Sequence, residues 1–165
     1  MARASLVLLS LLLAACSASG NSRKASPEDK PAEPRDLRIE RISSGAPGQG
    51  PQIPRVVVAP SASALSKELG AEIPDSGEGI YLIFYWGEKP TGGYSLAVES
   101  ARLEEDLLTI QLTLEEPPPD AMVTQALTYP YAAGVVRDVS LEGKEFSFED
   151  QDGRRLDWPV RRTAG

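Results

Sequence analysis

The stretch Ile80-Tyr81-Leu82-Ile83-Phe84-Tyr85-Trp86 decides the fold, because every one of its seven side chains is apolar or aromatic. Successive side chains of a β-strand point to opposite faces, so a run of this kind has no face suited to water. The sequence therefore predicts a central strand over residues 80–86, covered on both sides.

The segments that follow this strand have the alternating pattern of half-buried strands. Leu108, Ile110, Leu112 and Leu114 share one face of the predicted strand, with threonine and glutamine between them. An earlier strand presents Tyr94, Leu96 and Val98 on one face. Both segments are expected to contribute one face each to a common core.

The rest of the chain predicts further strands and one helix. A short helix begins at Ser61 or Ser63 and runs to Leu69, with Gly70 as its stop. A final hairpin begins at Phe146 and Phe148, turns at residues 151–153 and returns through residues 156–158. The other predicted strands cover residues 37–42, 55–59, 123–128 and 133–139. We predict a mainly β fold: one small β-sandwich or β-barrel-like domain over residues 36–165, with one short helix.

Composition excludes several classes of function. The 165-residue chain contains one cysteine and no histidine. Catalytic Ser-His and Cys-His arrangements and histidine metal ligands are therefore excluded, as are internal disulfides. The net charge of −7 argues against nucleic-acid binding, which needs a basic surface. We expect a protein that is not an enzyme and that has no cofactor and no metal.

The first 16 residues resemble a bacterial lipoprotein signal. A basic start with Arg3 precedes a short apolar run that is too short to span a bilayer. Leu13-Ala14-Ala15-Cys16 follows and resembles a lipobox, in which the cysteine is lipidated and becomes the first mature residue. The alternative is an ordinary signal peptide with an incidental cysteine.

The lipobox interpretation makes residues 1–15 a signal peptide and attaches the protein to a membrane through lipid on Cys16. Residues 16–35 lack large apolar side chains and predict a flexible tether. The expected location is the cell envelope, outside the cytoplasm. The residue after Cys16 is Ser17 rather than aspartate, which favours the outer membrane in cells with two membranes.

The segment Gly87-Glu88-Lys89-Pro90-Thr91-Gly92-Gly93-Tyr94-Ser95 contains the candidate binding residues. It is not a phosphate loop, because its lysine precedes the glycines and a strand follows. A long hairpin turn that needs glycine for its geometry is the alternative to a binding loop. We predict a partner-binding surface that also includes an aromatic segment further along the chain. The residues are Lys89, Pro90, Thr91, Gly92, Gly93, Tyr94, Tyr129, Pro130 and Tyr131.

Asp150-x-Asp152-Gly153 is similar to the opening of a calcium-binding loop. Such a loop requires a glutamate at its twelfth position, where this chain has Arg161. An Asp-Gly turn within a hairpin accounts for the segment more simply.

Two blocks of sequence resemble the C-terminal domain of the protease-complex subunit PrcB. The first is Trp86-Gly87-Glu88-Lys89-Pro90-Thr91-Gly92-Gly93-Tyr94-Ser95-Leu96, and the second covers residues 119–131. The resemblance extends over about residues 80–137. It implies an envelope lipoprotein that associates with, and supports, an exported protease, and it carries no catalytic residue.

A second resemblance favours an alternative function. Lys89-Pro90-Thr91-Gly92-Gly93-Tyr94 is similar to the N-P-T-T-G-Y loop of chagasin-like inhibitors of cysteine proteases, from which it departs at Lys89 and Gly92. This implies an immunoglobulin-like sandwich that inhibits a protease through the 87–95 loop. An envelope enzyme or small-ligand binder is a third possibility, against which the missing histidine and nucleophile motifs count.

Overall fold

The computed structural model describes residues 33–75 and 77–164. The predicted signal peptide, Cys16 and most of the predicted tether lie outside these residues. The described part is mainly β with one helix, as predicted. Its elements are β1 (Arg35–Leu37), β2 (Ile39–Gly45), β3 (Arg55–Ala59), α1 (Ala62–Leu69), β4 (Gly79–Tyr85), β5 (Ser95–Glu104), β6 (Leu107–Glu115), β7 (Tyr131–Arg137), β8 (Glu145–Glu149) and β9 (Val160–Arg162).

The strands form two sheets that pack as a sandwich. One sheet has the order β1-β5-β6-β8 and the other has the order β2-β7-β4-β3-β9. Neighbouring strands are antiparallel except for the pairs β6–β8 and β3–β9, which are parallel. Each sheet therefore ends in a short strand that lies parallel to its neighbour.

β4 is the middle strand of the five-stranded sheet, which confirms the central position predicted from its composition. Ile80, Leu82 and Phe84 are fully buried in the core between the two sheets. Tyr81 and Ile83 point to the other face, where they pack with α1. The ring of Phe84 meets the ring of Phe148 from the opposite sheet edge to face, with 5.5 Å between their centres.

The helix has the caps that its sequence predicts. Ser61 is the N-cap, and its hydroxyl accepts a hydrogen bond of 3.3 Å from the Ala64 amide. Gly70 ends the helix at a φ of 67° and donates its amide to the Ser66 carbonyl. Leu65 is fully buried against the five-stranded sheet, which the helix covers from outside.

The structure corrects three predicted strands. The single strand predicted over residues 37–42 is two strands, β1 and β2, because the chain crosses from one sheet to the other at Arg38. Residues 123–128 form a loop, with one isolated bridge between Thr128 and Lys89. The segment returning from the 151–153 turn makes one bridge, from Arg155 to Glu149, and then leaves to form β9 in the other sheet.

Within the described ranges, we find no helix with the length and apolar character needed to cross a bilayer.

Candidate functional site

Three connections meet at one end of the sandwich because of the register of the strands. β4 ends at Tyr85, which pairs with Tyr131 at the start of β7 and with Arg55 at the start of β3. Tyr131 pairs in turn with Gly45 at the end of β2. The connections 46–54, 86–94 and 116–130 therefore emerge side by side, and we call them together the loop end.

Hydrogen bonds hold the 86–94 connection of the loop end against the 116–130 connection. Lys89 and Thr128 exchange both of their amide–carbonyl hydrogen bonds, at 2.8 and 3.0 Å. The Gly92 amide donates to the Thr124 carbonyl at 2.9 Å, and the Thr128 hydroxyl donates to the Thr91 carbonyl at 2.7 Å. These bonds place residues 89–92 beside residues 124–128, which directly precede the aromatic segment 129–131.

The 46–54 connection is hydrogen-bonded to the other two connections and completes the loop end. The Tyr129 amide donates to the Pro47 carbonyl, and the Glu88 amide donates to the Gln52 carbonyl, both at 3.0 Å. The Tyr129 hydroxyl lies 2.6 Å from a carboxylate oxygen of Glu88. Because this hydrogen bond is made by the protonated phenol, it raises the pKa of Tyr129.

Lys89 is turned inward rather than outward. Its Nζ lies 4.0 Å from the centre of the Trp86 ring and 5.5 Å from that of Tyr94. The two rings meet edge to face at 5.6 Å. Burial lowers the pKa of Lys89, and the charge of Glu116 partly opposes that shift. The ammonium group therefore stabilises the loop through cation–π contact and is only partly available to a partner.

The two glycines of the loop differ in what they do. Gly93 has a φ of 90°, and a Cβ there would lie 2.8 Å from Cβ of Pro117 and 2.9 Å from Cγ1 of Val123. Any side chain at residue 93 would be strained by the positive φ and would overlap Pro117 and Val123, so this position requires glycine. Gly92 has no positive φ, and a Cβ added there would lie 3.4 Å from Cβ of Thr124, which is ordinary contact. Gly93 is thus required for the packing of the two connections.

The predicted binding residues differ in exposure. Pro90 and Gly93 are exposed, whereas Pro130 is buried and accepts a hydrogen bond from the Trp86 amide. The remaining residues are half-buried; they are Lys89, Thr91, Gly92, Tyr94, Tyr129 and Tyr131. Tyr131 packs on Tyr85 on the helix side of the five-stranded sheet, with 6.3 Å between ring centres. Tyr94 instead packs against the core between the sheets, so the structure separates these two tyrosines.

Sequence reasoning missed the exposed apolar side chains of the loop end. Met122 is fully exposed, Ile53 is 67% exposed and Leu127 is 51% exposed. One of these side chains lies on the 46–54 connection and two lie on the 116–130 connection. Leu127 was missed because residues 123–128 were taken for a strand, in which an apolar side chain is expected to be buried. Loops held by a rigid scaffold often carry binding residues, and these three side chains add exposed apolar area to such loops.

The segment that is similar to the opening of a calcium-binding loop lies directly after β8. Asp150 is buried, and its carboxylate accepts hydrogen bonds of 2.9 Å from the Asp152 amide and from the Arg154 amide and Nε. Burial acts to raise the pKa of Asp150, but the hydrogen bonds and charge of Arg154 hold it below its usual value. The carboxylate of Asp150 therefore stabilises the Asp-Gly turn through these hydrogen bonds. In the part of the chain that the structure describes, no three His, Cys, Asp or Glu side chains group as metal ligands.

Comparison with known protein families gives a match over part of the chain. Residues 80–136 match the family model described as PrcB C-terminal. The match begins in β4 and ends in β7, so it includes both the 86–94 and 116–130 connections of the loop end. No curated protein and no solved structure shows significant similarity to the chain. The family match confirms the resemblance that the sequence indicated.

Proposed function

We propose that this protein is a non-catalytic envelope lipoprotein whose PrcB-like domain associates with an exported protease through the loop end. The observation that carries the proposal is the PrcB C-terminal match over residues 80–136. The matched segment supplies two of the three connections that form the loop end. It also contains the inward-turned Lys89 and the glycine that the packing requires.

The shape and chemistry of the loop end support a binding role. Its connections are fixed by hydrogen bonds between their backbones, so a partner would not have to order them. Met122 and Leu127 offer apolar contact area. A few apolar or aromatic anchors surrounded by polar groups are the usual energetic centre of a protein interface.

Anchoring through Cys16 forms the second part of the proposal. Two or more acyl chains hold a protein stably on a membrane, at about 0.8 kcal/mol for each buried methylene. Removal of residues 1–15 removes Arg3 as the only charged side chain, which leaves 16 basic and 24 acidic residues. Anionic lipid headgroups would repel this net negative charge, and the repulsion would keep the domain away from the bilayer surface.

Affinity purification from envelope extracts tests the proposal. The tagged full chain, purified with its bound partners, is expected to recover a protease that is identified by mass spectrometry and by hydrolysis of casein. Met122→Ser and Leu127→Ser are each expected to lower the recovery. Leu107→Ser is the matched control because Leu107 is 39% exposed and lies at the opposite end of the β5–β6 hairpin.

Equal recovery by all variants would show that the loop end does not hold the partner. The same preparation separates the supporting role from the chagasin-like alternative. The proposal is supported if the activity of the protease stays unchanged, or lasts longer, when the purified protein is added. Loss of activity on that addition would instead favour the chagasin-like alternative, in which the protein is an inhibitor.

A further inference from the structure

A groove lies on the helix side of the five-stranded sheet, where its floor is a row of three paired residues. Arg55, Tyr85 and Tyr131 are register partners on the adjacent strands β3, β4 and β7. All three side chains lie on the face that α1 partly covers. The guanidinium carbon of Arg55 lies 5.3 Å from the centre of the Tyr85 ring, and the Tyr85 and Tyr131 rings lie 6.3 Å apart.

The walls of the groove come from two separate elements. The last turn of α1, with Glu68 and Leu69, forms one wall, and residues 47–51 form the other. The open groove has a volume of about 670 Å³, within the range of roughly 300–1,000 Å³ typical of small-ligand sites. We call it the Arg55 groove.

Glu68 lines the Arg55 groove and is contacted by two arginines, Arg55 and Arg161. Glu68 is largely buried and forms a close ion pair with Arg161. Nη2 of Arg55 lies 3.5 Å from the other oxygen of Glu68, a long contact. Two guanidinium groups therefore share one carboxylate, and Arg55 is the more weakly paired of the two.

Arg55 also has an unused hydrogen-bond donor. Among the described residues, its Nε is the one buried side-chain donor or acceptor without a hydrogen-bond partner. Burial without a partner is costly, and it is rare in folded proteins. The side chain as a whole is 38% exposed, so its end can turn toward the groove. The edge of a planar guanidinium formed by Nε and Nη2 is suited to a carboxylate, and in Arg55 the one contact of that edge, from Nη2 to Glu68, is long.

We propose that the Arg55 groove binds a carboxylate at the end or on a side chain of a peptide, with Arg55 as the donor and the tyrosine rings as the floor. Burial and the charge of Glu68 raise the pKa of Tyr85, so its phenol keeps its proton and can donate a hydrogen bond. The floor of the groove lies on the helix side of the sheet, and one wall, residues 47–51, belongs to the 46–54 connection of the loop end, but the proposal does not depend on protease association.

Titration of the full chain in detergent micelles, followed by NMR, tests the proposal. The probes are N-acetyl-Gly-Gly-Tyr with a free carboxylate, its C-terminal amide, N-acetyl-Gly-Glu-Gly amide and inorganic phosphate. We expect saturable shifts of the Arg55 Nε–H and of the Gly50, Tyr85 and Tyr131 amides with at least one carboxylate peptide. The peptide with the C-terminal amide should cause no such shifts. The two carboxylate peptides distinguish a chain terminus from an acidic side chain.

Substitutions locate the effect at Arg55. Arg55→Met is expected to weaken carboxylate binding at least about tenfold, because charge-assisted hydrogen bonds are lost. Arg102→Met, on an exposed position of the other sheet, is the matched control and should leave the affinity unchanged. The proposal fails if neither carboxylate peptide binds more tightly than the amide peptide, if phosphate binds more tightly than both carboxylate peptides, or if shifts occur only elsewhere. The acid–amide comparison uses the unchanged protein, so it decides the question even if Arg55→Met does not fold.

Discussion

Substitution of Gly93 by alanine tests whether the loop end is packed as the structure describes. Two costs add at this position. A side chain at the positive φ of 90° costs about 1–2 kcal/mol. The new Cβ would also lie 2.8 Å from Pro117 and 2.9 Å from Val123, and relief of overpacking of this kind costs about 1–3 kcal/mol. We therefore expect Gly93→Ala to lower the free energy of unfolding by about 2–5 kcal/mol.

Alanine substitutions of two other glycines distinguish the cost of positive φ from the cost of overpacking. Gly143 has a φ of 71°, and no atom of the described residues lies within 4 Å of a Cβ placed there. Gly143→Ala should therefore cost about 1–2 kcal/mol, from backbone strain alone. Gly92→Ala, in the same loop as Gly93 but without positive φ, should change stability by about 0.5 kcal/mol or less.

Urea unfolding followed by tryptophan fluorescence measures all three variants. The slope of the unfolding free energy against urea should stay constant, so that midpoints can be compared. If Gly93→Ala and Gly143→Ala are equally destabilised, the contacts of Gly93 with Pro117 and Val123 contribute nothing. The description of the 86–94 and 116–130 connections as one packed unit would then be wrong.

The remaining predictions concern the core, the Asp-Gly turn and the anchor. Phe84→Ala removes a fully buried ring and should cost about 3–5 kcal/mol in urea unfolding; a loss below about 1 kcal/mol would contradict the central position of β4. The folded pKa of Asp150 is lowered, so its stabilisation is present above the unfolded pKa of about 3.9 and is lost as the pH falls through the folded pKa. Asp150→Asn should therefore destabilise the protein at pH 7 and progressively less toward pH 2, and an equal loss at both would refute this. Cys16→Ser should move the protein from the detergent phase to the aqueous phase or leave it unprocessed; identical partitioning and mass would exclude lipid at Cys16.

The fold was predictable where local chemistry and tertiary packing agree. The apolar run 80–86 could only be a strand covered on both faces, and Ser61 and Gly70 provide the caps that delimit a short helix. Prediction failed where the position of a segment depends on distant partners. Nothing local in residues 123–128 shows that their hydrogen bonds go to the 89–92 segment rather than into a sheet.

The loop segments of the candidate site could be recognised in the sequence but the arrangement of their side chains could not, and partner binding by them stays a prediction. Proline and paired glycines mark the 87–95 loop, and the PrcB resemblance links it to residues 129–131. The inward turn of Lys89 follows from the positions of Trp86 and Tyr94, which only the folded chain defines. Tyr131 was assigned to the same surface, but the register of β7 places it on the helix side, beside Tyr85.

Site-specific photo-crosslinking in living cells tests the central claim most directly. A benzophenone side chain replaces Met122, which is fully exposed at the loop end, or Leu107, which is exposed at the other end of the β5–β6 hairpin. We expect irradiation to join the protein to an exported protease from position 122 and not from position 107. Crosslinks to a protease from position 107 alone, or to no protease from either position, would contradict the assignment of the loop end as the protease-binding surface.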